Sequence, residues 1–357
     1  MKLIAKAARQ GFDCSFIVPI RRVRIEPLEV KQLADYFKLL RVAGCEVLIV
    51  DGSPKSVFEA HKISWQGFSR HVAPDPKYTY LNGKVNGVHT GVDLASCERI
   101  ILADDDIRYS VSDVKRMCGF LDRSEMVRPQ NFIAPLPWWA RLESARILIN
   151  RGVLRAGDYP GTCGFRRTTM LRVGHYDGDV LFDNEEIVRH FALNGVRIKY
   201  ALDFFILKRP PTFIKWLEQR PRQAYEDFVM RAKTAAFISV LPGTLALSFL
   251  VNVRAATFLI ALMSLVSIAL SGGGILRNAA YRFYPITSPL FAPLWILERS
   301  ISVYWALYWW TRYGGYPFGQ KLLSKGTGDA WIAGGKIQSR VLSKSRPFQS
   351  FSDPRNV

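Results

Sequence analysis

The sequence predicts an α/β domain whose mostly parallel mixed sheet is covered by helices on both faces, followed by C-terminal apolar helices. Three observations carry this. Short apolar strands alternate with helical segments up to about residue 233. Two uncharged runs of twenty and twenty-two residues then follow, Thr234–Val253 and Ala255–Leu276. Finally, acidic residues stand directly after two of the strands, where ligands of such sheets bind.

Taken in order, Met1–Gln10 is short and basic with no apolar run of signal length behind it, so no secretory leader is expected there. Cys14–Ile20 is an apolar strand, Lys31–Ala43 an amphipathic helix and Cys45–Val50 a second strand. Gly83–Ser96 reads as a helix and Arg99–Ala103 as a strand. That pattern places Asp51 and the triplet Asp104-Asp105-Asp106 at one sheet edge. Packed carboxylates repel unless a cation neutralises them, and hard divalent ions such as Mg²⁺ or Mn²⁺ prefer oxygen ligands. Such an ion needs a second anionic partner, most naturally a diphosphate, although a solvated acidic turn is the plain alternative. Neither GxGxxG nor GxxxxGK[ST] occurs.

The two uncharged runs each match the roughly 20 residues needed to cross about 30 Å of hydrocarbon. Arg254, with Asn252 beside it, is expected in a tight loop between them. Their flanks are basic (Arg231, Lys233, Arg277, Arg282). The positive-inside rule therefore predicts a multi-pass protein of the cell (inner) membrane with residues 1–233 in the cytoplasm. Residues 285–310 mix Glu298 and Arg299 with many Trp and Tyr, which suits an interfacial helix better than a third span. The basic tail 312–357 is expected to be partly disordered from about Gln338.

Composition narrows the partners. The 357 residues carry 49 Lys plus Arg against 30 Asp plus Glu, a formal charge of +19. That excess calls for a phosphorylated substrate or an anionic membrane face. No nucleic-acid motif accompanies it, and the cations are scattered. The five cysteines lack metal-type spacing and read as small buried residues of a reducing compartment. His61, His71, His89, His175 and His190 show no ligand spacing and are read as core or surface residues. Trp138 and Trp139 read equally as packing residues or as a surface toward membrane or acceptor.

Asp51-Gly52-Ser53, Gly83-Lys84-Val85-Asn86-Gly87 and Leu102-Ala103-Asp104-Asp105-Asp106 together resemble the nucleotide-binding half of family-2 glycosyltransferases with the GT-A nucleotide-diphospho-sugar transferase fold. Gly161–Arg167, Gly174–Asp177, Phe182–Glu186 and Gly195–Ile198 resemble the acceptor half. Gln219-Arg220-Pro221-Arg222-Gln223 resembles the QxxRW motif of the membrane-bound branch, which includes ceramide glucosyltransferase and the cellulose and hyaluronan synthases. The resemblance covers about residues 13 to 230.

It implies an inverting transfer from a nucleotide-sugar donor, most naturally a UDP-sugar, to a lipid or glycan acceptor at the membrane. Pro19, Asp51, Lys84, Asp104, Asp105, Gln219 and Arg222 are the implied donor-binding residues. Asp104 and Asp106 match the outer positions of the DxD motif, with Asp106 as the direct metal ligand. The implied base lies among Asp183, Glu185 and Glu186, with Asp183 favoured over Glu185. Two positions depart from the pattern: Asn184 stands where the family has Asp, and Gln223 where it has Trp. A processive synthase, a polyprenyl-phosphate glycosyltransferase and an inactive nucleotide-sugar-binding scaffold are the alternatives.

Overall fold

The computed structural model describes residues 13–318 and 321–328. The segment Met1–Gln10 and the tail beyond residue 328, with its expected disorder, lie outside the described residues.

The chain opens with β1 (Cys14–Ile20), α1 (Pro27–Val42), β2 (Cys45–Asp51), α2 (Lys55–Trp65), β3 (Arg70–Val72), α3 (Gly83–Leu94) and β4 (Arg99–Ala103). It continues through β5 (Ile107–Arg108), α4 (Val111–Leu121), β6 (Met126–Ile133), α5 (Trp138–Val153), β7 (Thr162–Arg166), α6 (Arg167–Val173), α7 (Asp183–Leu193) and β8 (Ile198–Lys208). These strands form one sheet in the order β3-β2-β1-β4-β7-β6-β8-β5. β3, β2, β1 and β4 run parallel, β7 is antiparallel to both its neighbours, and β6 pairs parallel with β8.

Every residue of β1 and β2 is buried, because helices cover both faces of a parallel sheet and its strands become continuous apolar runs. Successive side chains of β1 therefore enter opposite cores. Phe16 and Val18 pack with Phe37, Leu40 and Trp65, whereas Ile17 joins Val85, Val88, Leu102 and Phe191.

Two helix bounds differ from expectation. α1 starts at Pro27 rather than Lys31, since proline is pre-organised for the first helical turn. α3 ends at Leu94, with Ala95 already extended. Within that second core His89 lies among Tyr78, His175 and Tyr176, and burial drives its pKa down to about 3. A depressed histidine costs stability as pH falls below its unfolded value near 6.5. Acid should therefore destabilise the domain through this residue, by about 2 kcal/mol at pH 5. Chemical denaturation at pH 7 and pH 5 would show His89→Phe losing much less stability than the wild type over that range.

α8 (Phe213–Glu226) leads into the apolar hairpin of α9 (Arg231–Leu250) and α10 (Val253–Leu276). Among the described residues these two segments are long and apolar enough to cross a membrane. At 1.5 Å per residue the 20 residues of α9 reach ~30 Å. The turn sits at Val251–Asn252, before the expected interruption at Arg254. Asn252 caps α10 by accepting from the Ala255 amide at 2.8 Å, which leaves Arg254 inside the first helical turn. The third apolar stretch is a helix too, α11 (Ala292–Tyr313), after a short 3₁₀ turn over Ser288–Phe291. It buries Trp295, Arg299, Val303 and Ala306 and leaves Leu294, Leu297, Ile301 and Trp305 exposed.

Small residues weld the hairpin to the α/β domain. Ser267, Ser271 and Gly274 of α10 are buried at helical spacing. A Cβ on Gly274 would stand 1.9 Å from the Leu148 carbonyl oxygen, and one on Gly152 would stand 2.2 Å from that of Leu270. The backbones of α5 and α10 thus touch, as small-residue helix interfaces allow. Arg277 completes the joint by donating to the carbonyls of Arg151, Leu154 and Arg155. After α11, β9 (Tyr316–Phe318) and β10 (Lys321–Leu323) form a hairpin. The amides of Leu181 and Phe182 then donate to the carbonyls of Lys325 and Gly326.

Candidate active site

Because β1, β2 and β4 run parallel, their C-terminal ends deliver Asp51 and Asp104–Asp106 to one edge. The turn after β4 is fixed from below. The Asp104 amide donates to the Gly161 carbonyl at 2.8 Å, and the Gly161 amide donates to Asn131 Oδ1 at 2.9 Å. A Cβ at Gly161 would lie 2.6 Å from Asp104 Oδ2, so only glycine lets the carboxylate sit there.

Lys84, in the first turn of α3, is the hub. Its Nζ lies 2.5 Å from Asp104 Oδ1, 2.7 Å from Asp183 Oδ2 and 2.9 Å from Asn184 Oδ1. Asn184 Nδ2 in turn donates to Asp104 Oδ2 at 3.0 Å. One cation therefore joins the acidic triplet to the first turn of α7 across a hundred residues of sequence. Burial would push Asp104 up, but Lys84 and Lys208 outweigh it and hold the carboxyl below its ordinary value.

The other two members of the triplet differ. Asp105 pairs with Arg22 at 2.5 Å. Among the described residues Asp106 pairs with Lys208, at 3.4 Å, and its Oδ1 is buried without a hydrogen bond. Burial raises its pKa; Lys208 opposes the shift, and Asp104 and Asp105 add to it. An orphaned buried carboxylate oxygen two residues from Asp104 is the kind of hard donor a divalent cation takes. The residues fit Mg²⁺ or Mn²⁺ held by Asp104 and Asp106.

The three acids of α7 have different surroundings. Asp183 is buried against Lys84. Glu186 is engaged by Arg189 at 2.7 Å and by the Gly328 amide at 2.7 Å. Glu185 meets Arg128 at 2.9 Å, and its side chain stays 26% exposed against 6% for Asp183. Burial raises the Glu185 pKa, with Arg128 opposing. Arg128 is itself buried in β6, donating to the Asp158 carbonyl at 3.1 Å and lying over the Tyr159 ring.

On α8, Arg222 donates to the Leu181 carbonyl at 3.1 Å and pairs with Glu226, which ties the helix to the segment before α7. Gln219 is half-buried one turn earlier. Gln223 accepts from Arg299 of α11 at 3.3 Å. Pro19 is buried in β1, in register with Val50.

Asp51 is not drawn into this cluster. Its Oδ2 lies 2.7 Å from His61 Nδ1 and 3.0 Å from His71 Nε2, and its Oδ1 accepts from the Ser53 amide at 2.9 Å. Burial alone would raise it, yet these partners hold its carboxyl below the usual range. His61 and His71, read as core or surface residues, both bury their side chains, and β3 brings His71 beside His61 at one carboxylate, with all three ligand atoms within 4.8 Å. Spacing in sequence could not show it. Arg128, the third residue of β6, and Lys208, the last of β8, lie outside the sequence reading; only Lys208 carried a visible signal, a cation closing a largely apolar strand.

No family model and no curated protein matches this chain. Solved structures do resemble it. A mannosyltransferase of Pyrobaculum calidifontis, in complex with GDP-Man and Mn²⁺, aligns over 85% of this chain and 92% of its own, at 16% identity and a TM-score of 0.48. Glucosyl-3-phosphoglycerate synthase of Mycobacterium tuberculosis, with Mn²⁺, UDP and phosphoglyceric acid, aligns over 60% and 76%, at 15% identity and a TM-score of 0.37.

Proposed function

We propose that the chain is a membrane-anchored, inverting glycosyltransferase that moves a sugar from a nucleotide diphosphate donor to an acceptor hydroxyl at the bilayer surface, on a lipid or a glycan. The observation that carries this reading is the Lys84 hub, which holds Asp104 of the acidic triplet and Asp183 of α7 within 2.7 Å of one ammonium. Candidate metal-side and acceptor-side groups thereby meet at one ammonium.

Asp104 and Asp106 would hold the divalent ion, which when bound neutralises charge on the leaving diphosphate. Lys84 fixes the Asp104 carboxylate. Lys208 offsets the remaining negative charge of Asp106. Between the candidate bases, the geometry favours Glu185 over Asp183. A base needs access to the acceptor hydroxyl and a pKa lifted toward working pH. Glu185 is partly exposed with its pKa raised, while Asp183 is spent on Lys84. Arg128 opposes that rise and orients the Glu185 carboxylate. The α9–α10 hairpin would hold the site against the membrane, with basic Arg231, Lys233 and Arg277 on the cytoplasmic side.

Calorimetric titration of the detergent-purified chain with UDP- and GDP-sugars, with and without Mn²⁺, tests the proposal. Metal-dependent affinity for at least one donor is expected; none for any donor would overturn it.

A further inference from the structure

We propose that an exposed aromatic rim formed by Trp138, Phe213, Ile214 and Leu217 seats the hydrocarbon chain of a lipid acceptor beside the acidic edge of the sheet. This rests on the transfer reading above and names the acceptor class.

The rim is built at the right place. β6 and β8 end together, with the Ala134 amide donating to the Lys208 carbonyl at 3.2 Å. A few residues later each chain enters a helix, α5 at Trp138 and α8 at Phe213. The Arg209 amide donates to the Asp106 carbonyl at 2.8 Å, so the segment leading to the rim starts at the candidate metal site itself.

Its chemistry suits hydrocarbon. The Trp138 ring lies 5.3 Å from that of Phe213 and 6.2 Å from that of Trp216. Trp138 is 56% exposed, Ile214 69% and Leu217 48%. Leu217 stands four residues after Phe213 and three after Ile214, beside each on the surface of α8. Ile214 and Leu217 offer no hydrogen bond to a hydroxyl-rich glycan. An acyl or prenyl chain laid across them would leave water for an apolar surface.

The surface is also continuous with the proposed membrane region. Trp216, under the rim, belongs to the same core as Phe237 of α9 and Ala292 and Trp295 of α11. Exposed Leu290 and Leu294 extend the apolar surface at the start of α11, beside Phe291, whose ring lies under Arg141 of α5. Exposed Arg141, Arg209 and Lys215 supply the cations that draw such a surface to anionic lipid.

The test places the full chain in nanodiscs of phosphatidylcholine and phosphatidylglycerol, about three to one, doped with a diacylglycerol bearing a mid-chain diazirine. After irradiation, labelled residues are mapped by mass spectrometry. Trp138 and Phe213 should be labelled together with α9–α11, and the I214S/L217S variant should lower labelling at Trp138 and Phe213 about fivefold while keeping wild-type Mn²⁺-dependent donor affinity. Labelling confined to α9–α11, or labelling at Trp138 and Phe213 unchanged in the variant, overturns the rim as a lipid seat. Loss of donor affinity in the wild type would instead sink the transfer reading, and the label would still decide the rim.

Discussion

Asp106→Asn is expected to reduce Mn²⁺-dependent donor affinity at least about a hundredfold, and to raise rather than lower the melting temperature of the metal-free protein. The second half follows from the site. Asp106 has a buried, unpartnered oxygen and a raised pKa, so near neutral pH its ionised form costs the fold energy that a neutral amide of the same shape avoids. The wild type recovers that cost only when a cation binds, a gain of about 2.7 kcal/mol at metal concentrations a hundred times Kd. Scanning calorimetry with and without Mn²⁺ separates the two effects. A variant that melts lower without metal and is still stabilised by it would show that Asp106 is a structural acid.

The second large effect is expected at Glu185. E185Q should lower kcat by about 10²- to 10⁴-fold with donor affinity intact. Asp183→Asn should weaken donor affinity instead, since it frees Lys84 to shift away from Asp104. The pH dependence follows from the sign of the Glu185 shift. A base acts when ionised, so activity falls as pH drops through its raised pKa. Arg128 opposes that shift; Arg128→Gln should therefore move the acid limb of kcat/KM to higher pH. Equal, mild losses in E185Q and Asp183→Asn, or an unmoved acid limb, would take the base away from this turn of α7.

Much of the architecture was legible because its causes are local. Cys14–Ile20 and Arg99–Ala103 are apolar throughout, and strands buried on both faces leave that mark. Val251–Asn252 interrupts the long apolar stretch where an asparagine can cap the next helix. Asp104–Asp106 stood out by electrostatics, since three adjacent carboxylates call for neighbouring cations, which Lys84, Arg22 and Lys208 supply. What stayed hidden depends on contacts between distant segments. That Lys84 reaches both Asp104 and Asn184 depends on α7 crossing the strand ends. That His61 and His71 converge on Asp51 depends on β3 pairing parallel with β2. The different surroundings of Glu185 and Glu186 come from Arg128 on β6 and from Gly328 returning after α11. None of these leaves a pattern in neighbouring residues.

The glycine contact between α5 and α10 has a consequence for how any reaction meets the bilayer. With main chain touching main chain at Gly152 and Gly274, and Arg277 latched to the end of α5, the joint has no slack for a swivel. The pocket is therefore carried at one fixed height and tilt by whatever angle the hairpin adopts in its surroundings. In the proposed transferase such a joint would act as a depth gauge, selecting acceptors by how far their reactive hydroxyl stands from the hydrocarbon boundary, before any side chain reads their chemistry.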